Sequence, residues 1–532
     1  MSSFAGTRLL VKINFRRDKV MVPFWIYFFT AVAVGTAYSS RATYSTLAKR
    51  LDFAAGLNKN PSMLALYGPV HDAHSVGSVS VWKVGGIAAA LVGVISMIIT
   101  VRHTRGDEES GRLELVSAGV VGRFAALTAA VVTAVTTNVV VAVLVAAGLM
   151  ALGLPVGGSI AFALGWCAIG LMFVAVAAVT AQLTTSARAA TGLGIAFLSL
   201  CYLIRAAGDA GGADGPTWLL WLSPFGWVSH LRPYAGDRWW VLALAVAFAA
   251  AFLAVAYRLV GGRDIGAGLL PERLGPAEGP AGLRSPLALA WRLQRGSLLA
   301  WTAGFTVYGL AIGGVSDNVD SMVGGKSGRD VLSKIGGGHG LLDAFLNTTM
   351  AVMALLASAY AVQVVLRLRS EESSGLAEPI LATRVGRVGW AASHVAFAIA
   401  GPAILLAVDG VAVGLVHGLR VGDVGGQFPR VFWSAMVQLP AVWVLAGITV
   451  ALFGLAPRIA VAAWGALGVF VLLGQLGPLL KLKQWTMDIS PYTHVPKLPG
   501  AAMRTTPVVW LVVVAAALTA AGLAGFRHRD LG

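Results

Sequence analysis

Charge is scarce in this chain of 532 residues. Asp, Glu, Lys and Arg make up 12% of it against 57% hydrophobic residues, whereas a soluble domain carries about 25% charged residues. That balance excludes a water-soluble globular fold. Cysteine is scarcer still, with Cys167 and Cys201 both inside apolar runs. Neither lies at a spacing that suits a metal or a disulfide framework. H-E-x-x-H, C-x-x-C and G-x-S-x-G are absent, which removes common zinc, redox and hydrolase signatures. A phosphate-binding loop is missing too. "SDNVDSMVGGKSGRD" reaches Gly325-Lys326-Ser327, but Asp320 stands where the motif needs its first glycine to bring backbone N–H groups to the phosphates. His71 and His74 around Asp72 read as a solvated polar loop, not as a metal site. The expectation is a chain with no catalytic residues, no metal and no cofactor of its own.

What is present is long apolar sequence. Windows of about 20 apolar residues, the length that crosses a bilayer, fall near 21–40, 82–101, 124–152, 158–182, 189–207, 239–260, 298–316, 344–366, 389–417, 431–455, 458–480 and 508–526. They predict an all-α integral membrane protein with twelve transmembrane helices. The net charge of +16 then reads as flanking charge beside a bilayer and not as a nucleic-acid surface. Arg8, Lys12, Arg16, Arg17 and Lys19 before the first window, with Arg527 and Arg529 after the last, put both termini in the cytoplasm by the positive-inside rule. Ala37-Tyr38-Ser39 imitates a signal-peptide cleavage site. The first helix is nevertheless expected to be retained, because the second half of the chain begins with an equivalent one.

The chain repeats itself. At a shift of 264, "VRHTRGDEESGRLELVSAGVVGR" (101–123) overlies "VLRLRSEESSGLAEPILATRVGR" (365–387) and pairs Arg105 with Arg369, Glu108 with Glu372, Gly111 with Gly375, Glu114 with Glu378 and Arg123 with Arg387. At a shift of 267, "WLLWLSPFGWVSHL" (218–231) overlies "WTMDISPYTHVPKL" (485–498). The approaches to the first and seventh windows, "INFRRDKVMVPFW" and "LAWRLQRGSLLAW", are both basic amphipathic stretches suited to the membrane interface. Two fused six-helix units follow, residues 1–260 and 287–532, joined by a Gly/Pro-rich cytoplasmic linker at 261–286. Six being even, the repeats are parallel, related by an axis along the membrane normal.

Each copy of the acidic segment follows the second window of its half. Carboxylates lead through a glycine to Glu114 or Glu378, just ahead of a short apolar stretch, with Pro379 suited to the first position of a helix and Leu113, Val116, Val120 and Val121 on one face. Each therefore predicts a short amphipathic helix on the cytoplasmic side. One such loop needs only to be solvated, but two that keep Glu, Gly, Glu, Gly and Arg at one spacing suggest a surface that docks a twofold partner.

The pattern E-x-G-x-L-E, then a short helix and an arginine, resembles the coupling-helix region of ABC type-2 permeases. Over essentially its whole length, with "SPFGWVSHLRPYAGDRWW" and "SPYTHVPKLPG" in the two halves, the chain is similar to tandem actinobacterial polyketide-antibiotic exporter permeases, including those linked to tetronasin. The resemblance implies a permease in the bacterial plasma membrane that moves lipophilic compounds outward. It also implies a separate cytoplasmic ABC ATPase, a homodimer holding ATP and Mg. Glu108, Glu109, Gly111, Glu114 and Arg123, with Glu372, Gly375, Glu378 and Arg387, would form the coupling surface. Ser373 departs from the pattern at the place of Glu109, and Ala377 at that of Leu113.

If the second and fifth helices of each half line the path, Met97, Phe197, Tyr202, Trp464 and Phe470 are its candidates; ordinary helix packing is the competing reading. Ser223, Pro224 and Phe225, with Ser490, Pro491 and Tyr492, are candidates for an outer gate, since helix breakers at membrane depth require protein or water around the backbone. Tryptophans nearby also fit an interfacial belt. Asp409, a carboxylate within an apolar window, is a candidate proton site. A proton-coupled secondary transporter is therefore the rival reading.

Overall fold

The computed structural model describes residues 2–59, 61–117, 119, 121–212, 215–264, 266–270, 278–279, 281–316, 340–476 and 483–529. Among these the chain is helical, without strands, and divides into two compact units, Met1–Gly275 and Pro276–Gly532. Eleven helices are long and apolar enough to cross a membrane. At the window 458–480 the described helix is Ala462–Leu476, and the rest of that window, residues 477–480, lies outside the described residues. The stretch around Gly325-Lys326-Ser327, like Val120, lies outside the described residues.

In the first unit, α1 (Thr7–Arg17) precedes α2 (Met21–Thr43), and two short helices, α3 (Leu47–Leu57) and α4 (Pro61–Tyr67), follow. The second window is built from α5 (Val76–Gly85) and α6 (Ile87–Arg102), and leads into α7 (Arg105–Glu109) and α8 (Arg112–Ser117). Then come α9 (Ala125–Ala151), α10 (Val156–Leu183), α11 (Ala187–Ala210), the short α12 (Pro224–His230) and α13 (Val241–Gly262). The central helix is α10, apolar on every face and packed by α6, α9, α11 and α13, as a helix hydrophobic all round must be. Its polar neighbours are satisfied within the bundle: Asn138 Nδ2 donates to Ser96 Oγ at 2.9 Å and to the Ala134 carbonyl at 3.0 Å, as burial in a low dielectric requires. Val139, Val143, Leu200 and Leu203 instead face outward, a surface suited to lipid and a liability in water.

The second unit opens with α14 (Pro286–Val315), capped by Ser285 Oγ and with Pro286 at its start. Here the two approaches differ. In the first unit the helix stops at Asp18 and restarts at Met21, whereas "LAWRLQRGSLLAW" lies inside one unbroken helix. The physical difference is Asp18, whose carboxylate is held by His103 Nε2 at 2.6 Å and Arg102 at 3.3 Å; the side chain of Gln294, at its place in the other approach, among the described residues meets only that of His394, at 3.5 Å. The helices Leu341–Ser373, Arg387–Val421, Val424–Met436, Leu439–Leu455 and Thr505–His528 follow. The window 431–455 is interrupted between Met436 and Leu439, where a new helix begins with Pro440 in its first turn. Leu439–Leu455 and Thr505–His528 approach so closely that a Cβ on Gly454 would strike the Gly522 carbonyl. Small residues at a helix crossing are the usual means of such contact in a membrane.

Part of the stretch read as a linker at 261–286 lies against the first unit. Leu269 and Leu270 donate backbone N–H groups to the carbonyls of Gln182 and Leu183 at 3.2 and 2.8 Å, which ties residues 266–270 to the end of α10.

Candidate functional site: two loop anchors built alike

After α6 the chain turns sharply, and Gly111 takes a φ of +70° between α7 and α8. Gly375, 264 residues later, has a φ of +71° after the Leu341–Ser373 helix. Both sit in the left-handed region that costs a side-chain-bearing residue about 1 kcal/mol or more. This explains the paired glycines. The short helices beyond them are α8 and Ala377–Leu381. Pro379 occupies the third helical position of the latter, not the first, with Glu378 just before it.

Glu108 points inward. Its carboxylate accepts from Arg105 Nη1 at 2.7 Å and from both Nη atoms of Arg263 at 2.6 and 2.9 Å. Arg105 also donates to the carbonyls of Ala181 and Ala267. Glu372 has the corresponding partners with fewer bonds: it accepts from Arg529 Nη2 at 2.7 Å and forms an ion pair with Arg369 Nη1 at 3.3 Å without a hydrogen bond. Arg123 then closes the first anchor by donating to the carbonyls of Val260 and Arg263, and Arg387 closes the second by donating to the Arg529 carbonyl at 2.7 Å. In each unit, therefore, a Glu in the loop joins an Arg four residues or fewer away to an Arg at the end of the unit's last helix. Charge-assisted bonds of this kind are short and geometrically specific.

Glu109 and Ser373 differ in deed as well as in type. Glu109 Oε2 accepts from the Ala187 backbone N–H at 2.9 Å, at the start of α11, where a carboxylate meets both a spare donor and the positive helix end. Ser373 Oγ instead bonds back to the Ser370 carbonyl. Glu114 and Glu378 are exposed, beside two apolar side chains that are 81% and 62% exposed, Leu115 and Leu376.

The sequence reading missed Arg263 and Arg529 as anchor residues. Their signal was present, because Arg263 is the first cation after the last apolar run of its half and Arg529 follows Arg527 after the other; it reads at sequence level as ordinary flanking charge. It also missed the elbow before α2. Burial opposes ionisation of Asp18, but His103, Arg102 and Arg17 outweigh it and hold the carboxyl below its ordinary value. A carboxyl with a depressed folded pKa contributes stability above its unfolded value of about 3.9, and that contribution is lost as pH falls through the folded value. An Asp18→Asn chain is expected to be less stable at pH 7 and to lose less on acidification below pH 4, measured as thermal unfolding in detergent across pH.

The remaining candidates are scattered. Met97 is fully buried where α6 meets Gly194 of α11, and Phe197 packs between Phe173 and Phe252. Tyr202 Oη donates to the Leu66 carbonyl at 2.6 Å. Trp464 is 43% exposed, while Phe470 is buried against Tyr492. Ser223 Oγ donates to the Cys201 carbonyl at 2.6 Å and caps the Phe225 N–H, with Pro224 starting α12. Ser490 and Pro491 similarly begin a single turn, Pro491–His494, in which the Tyr492 hydroxyl meets that of Ser358. Asp409 is fully buried in the Arg387–Val421 helix, and neither carboxylate oxygen has a hydrogen-bond partner among the described residues.

With eleven membrane-length apolar helices among the described residues, and no strand among them, the chain is a multi-pass membrane protein. Its sequence matches the family model described as "Multidrug efflux system permease Rv1217c, C-terminal domain" over residues 24–259 and 283–527, one stretch in each unit. It is 43% identical over 535 residues to the multidrug efflux system permease protein Rv1217c of Mycobacterium tuberculosis (strain ATCC 25618 / H37Rv), an alignment covering 100% of this chain and 96% of that protein. The chain belongs to this family of multidrug efflux permeases.

Proposed function

We propose that the chain is the membrane subunit of an ATP-driven exporter of hydrophobic or amphipathic compounds, polyketide antibiotics or drugs among them, within the ABC type-2 permease superfamily. The observation that carries this reading is the doubled anchor: two loops fixed inward by Glu108 and Glu372 while Glu114 with Leu115, and Leu376 with Glu378, face outward. A loop tied to the last helix of its unit and presenting acidic and apolar side chains suits a dock through which a partner moves the bundle. In this reading twelve helices form two fused parallel six-helix repeats in the bacterial plasma membrane, with both termini in the cytoplasm. A cytoplasmic ABC ATPase homodimer supplies ATP and Mg chemistry and engages the coupling helices. Its cycle exchanges states of different cargo affinity, which is what transport requires. The efflux role of the Mycobacterium tuberculosis relative supports the direction.

Affinity purification of the chain from its native membrane is expected to recover an ATPase at two copies per chain. The double variant Glu114→Lys with Glu378→Lys is expected to lose it while the permease remains folded. Export that continued in that variant with no ATPase recovered from either form would end the coupling reading.

Asp409 favours a second reading, proton-coupled antiport. A fully buried carboxyl without hydrogen-bond partners is costly unless protonated, and intramembrane acids commonly mark proton paths. Efflux that follows an imposed pH gradient without ATP, and disappears with Asp409→Asn, distinguishes it.

A further inference from the structure

The second glycine of each repeated loop, Gly122 and Gly386, is not explained by a turn, because neither has a φ in the left-handed region. At Gly386 an added Cβ would meet nothing within 4 Å. At Gly122 it would strike the backbone of Ser3 and the Ser2 carbonyl. Residues 2–5 lie across the exit of the first loop at this point. The Ala5 carbonyl accepts from the Gly122 N–H and the Ser3 carbonyl from the Phe124 N–H, both at 2.9 Å. Two N–H groups just before α9, which opens without a side-chain cap, are thereby satisfied. Phe4 adds ring contacts, 5.6 Å from Phe124 and 6.4 Å from Tyr257 of α13 between centroids. The same short segment thus joins the loop's exit to the last helix of the unit.

This tail is shaped from within and held lightly. Thr7 Oγ1 donates to the Phe4 carbonyl at 2.7 Å, and Gly6, with a φ of +83°, turns the chain into α1. Ser2 and Ser3 are exposed and Phe4 is 50% exposed, so opening the tail uncovers little apolar area. What it holds is loosely supported as well. Leu113 of α8 lines a cavity of about 450 Å³ together with Val121, Gly122 and Val260, and a side chain facing a void forgoes the contacts that would fix it.

We propose that residues 2–5 are a latch on the first loop. Closed, as here, they fix the exit at 122–124 and through it α8. Open, they free α8 to move over the cavity while α1 stays packed on α9 through Leu10. The second loop lacks a counterpart among the described residues, since Gly386 has open space where Gly122 has the tail. The use of the latch, to make the first dock stiff or compliant, rests on the coupling reading given above; the latch itself is a property of this chain.

The test is hydrogen–deuterium exchange of the full-length chain in nanodiscs, read by mass spectrometry over α8, over residues 121–124 and over the second loop at 376–387. Gly122→Ala is expected to speed exchange about tenfold or more in α8 and at 121–124, the scale of two lost backbone hydrogen bonds. The second loop and the thermal midpoint are expected to stay as in the unmodified chain. Deletion of residues 2–5 should act alike, and Gly122→Ala in the deleted chain should add nothing, because the alanine then has no tail to strike. Phe4→Ala should give a smaller rise, and Phe4→Tyr, which keeps the ring, should give none. Gly386→Ala is the control and changes neither loop. Unchanged exchange, a rise confined to 121–124, an equal rise at 376–387, or additive effects of Gly122→Ala and the deletion would each overturn the latch. None of these outcomes depends on an ATPase, so a permease recovered without one ends the coupling reading and leaves this result standing.

Discussion

Glu108→Ala is expected to destabilise the first unit by about 3–5 kcal/mol, the scale measured when one member of a buried ion pair is removed. The reason lies in what remains. The Arg105 side chain is fully buried and that of Arg263 nearly so, so the variant leaves two guanidiniums facing each other without their shared carboxylate. Glu372→Ala is expected to act alike in the second unit, stranding Arg369 and Arg529, with a smaller loss because Arg369 is less buried. Arg263→Ala should cost less than Glu108→Ala, since Glu108 keeps Arg105. Glu114→Ala, on an exposed side chain, should stay within about 0.5 kcal/mol. Thermal unfolding of the four variants in one detergent checks the order. An effect of Glu114→Ala equal to that of Glu108→Ala would contradict the inward and outward division of the loop.

Gly454→Leu is expected to have the larger consequence, loss of the folded second unit. The atoms in the way of a side chain there are the backbone of Gly522, and those in the way at Gly522 are the backbone around Val450. Backbone within a helix cannot swing aside as a flexible side chain can, so the two helices must separate along their contact. Packing of this kind holds helices together in lipid, where the hydrophobic effect does not. Overpacking in a soluble core typically costs about 1–3 kcal/mol, and a whole crossing lost should exceed that. The readout is monodisperse yield by size exclusion after mild solubilisation. Gly465→Leu serves as the control, on an apolar helix where an added Cβ meets nothing within 4 Å. Normal yield from Gly454→Leu would show that the crossing tolerates separation.

Much of the helical plan was legible because lipid-length apolar runs leave few alternatives to helix. Interruptions within those runs were harder to see. Nothing apolar distinguishes Met436 from Leu439 in a hydropathy window, and the stop at Asp18 depends on His103 and Arg102, which are distant in sequence. The paired glycines were visible as a repeat, and their common left-handed geometry gives the repeat a backbone reason. Which glutamate faces inward was not visible. Glu108 and Glu114 are alike in composition, and only the arrival of Arg263 from the far end of the unit separates them. The contact of residues 2–5 with Gly122 was likewise unreadable, because the partners are more than one hundred residues apart and meet through backbone.

The Glu109 contact also sets how stiffly the two loops are mounted. In the first unit the turn around Arg105–Glu109 is fastened to the start of α11 through Glu109, to the end of α13 through Glu108, to the end of α10 through Arg105 and to α1 through Asp107 and Arg17. A lever fixed at several points drags each of those helices when it tilts. In the second unit Ser373 closes on its own helix, leaving Glu372 with Arg529, and Arg387 behind it, as the fastening at the last helix. On the proposed coupling role, the same displacement applied to both loops would reach α1, α10, α11 and α13 in one unit, and by this route the Thr505–His528 helix in the other. Near-duplicate handles would then answer an even push unevenly.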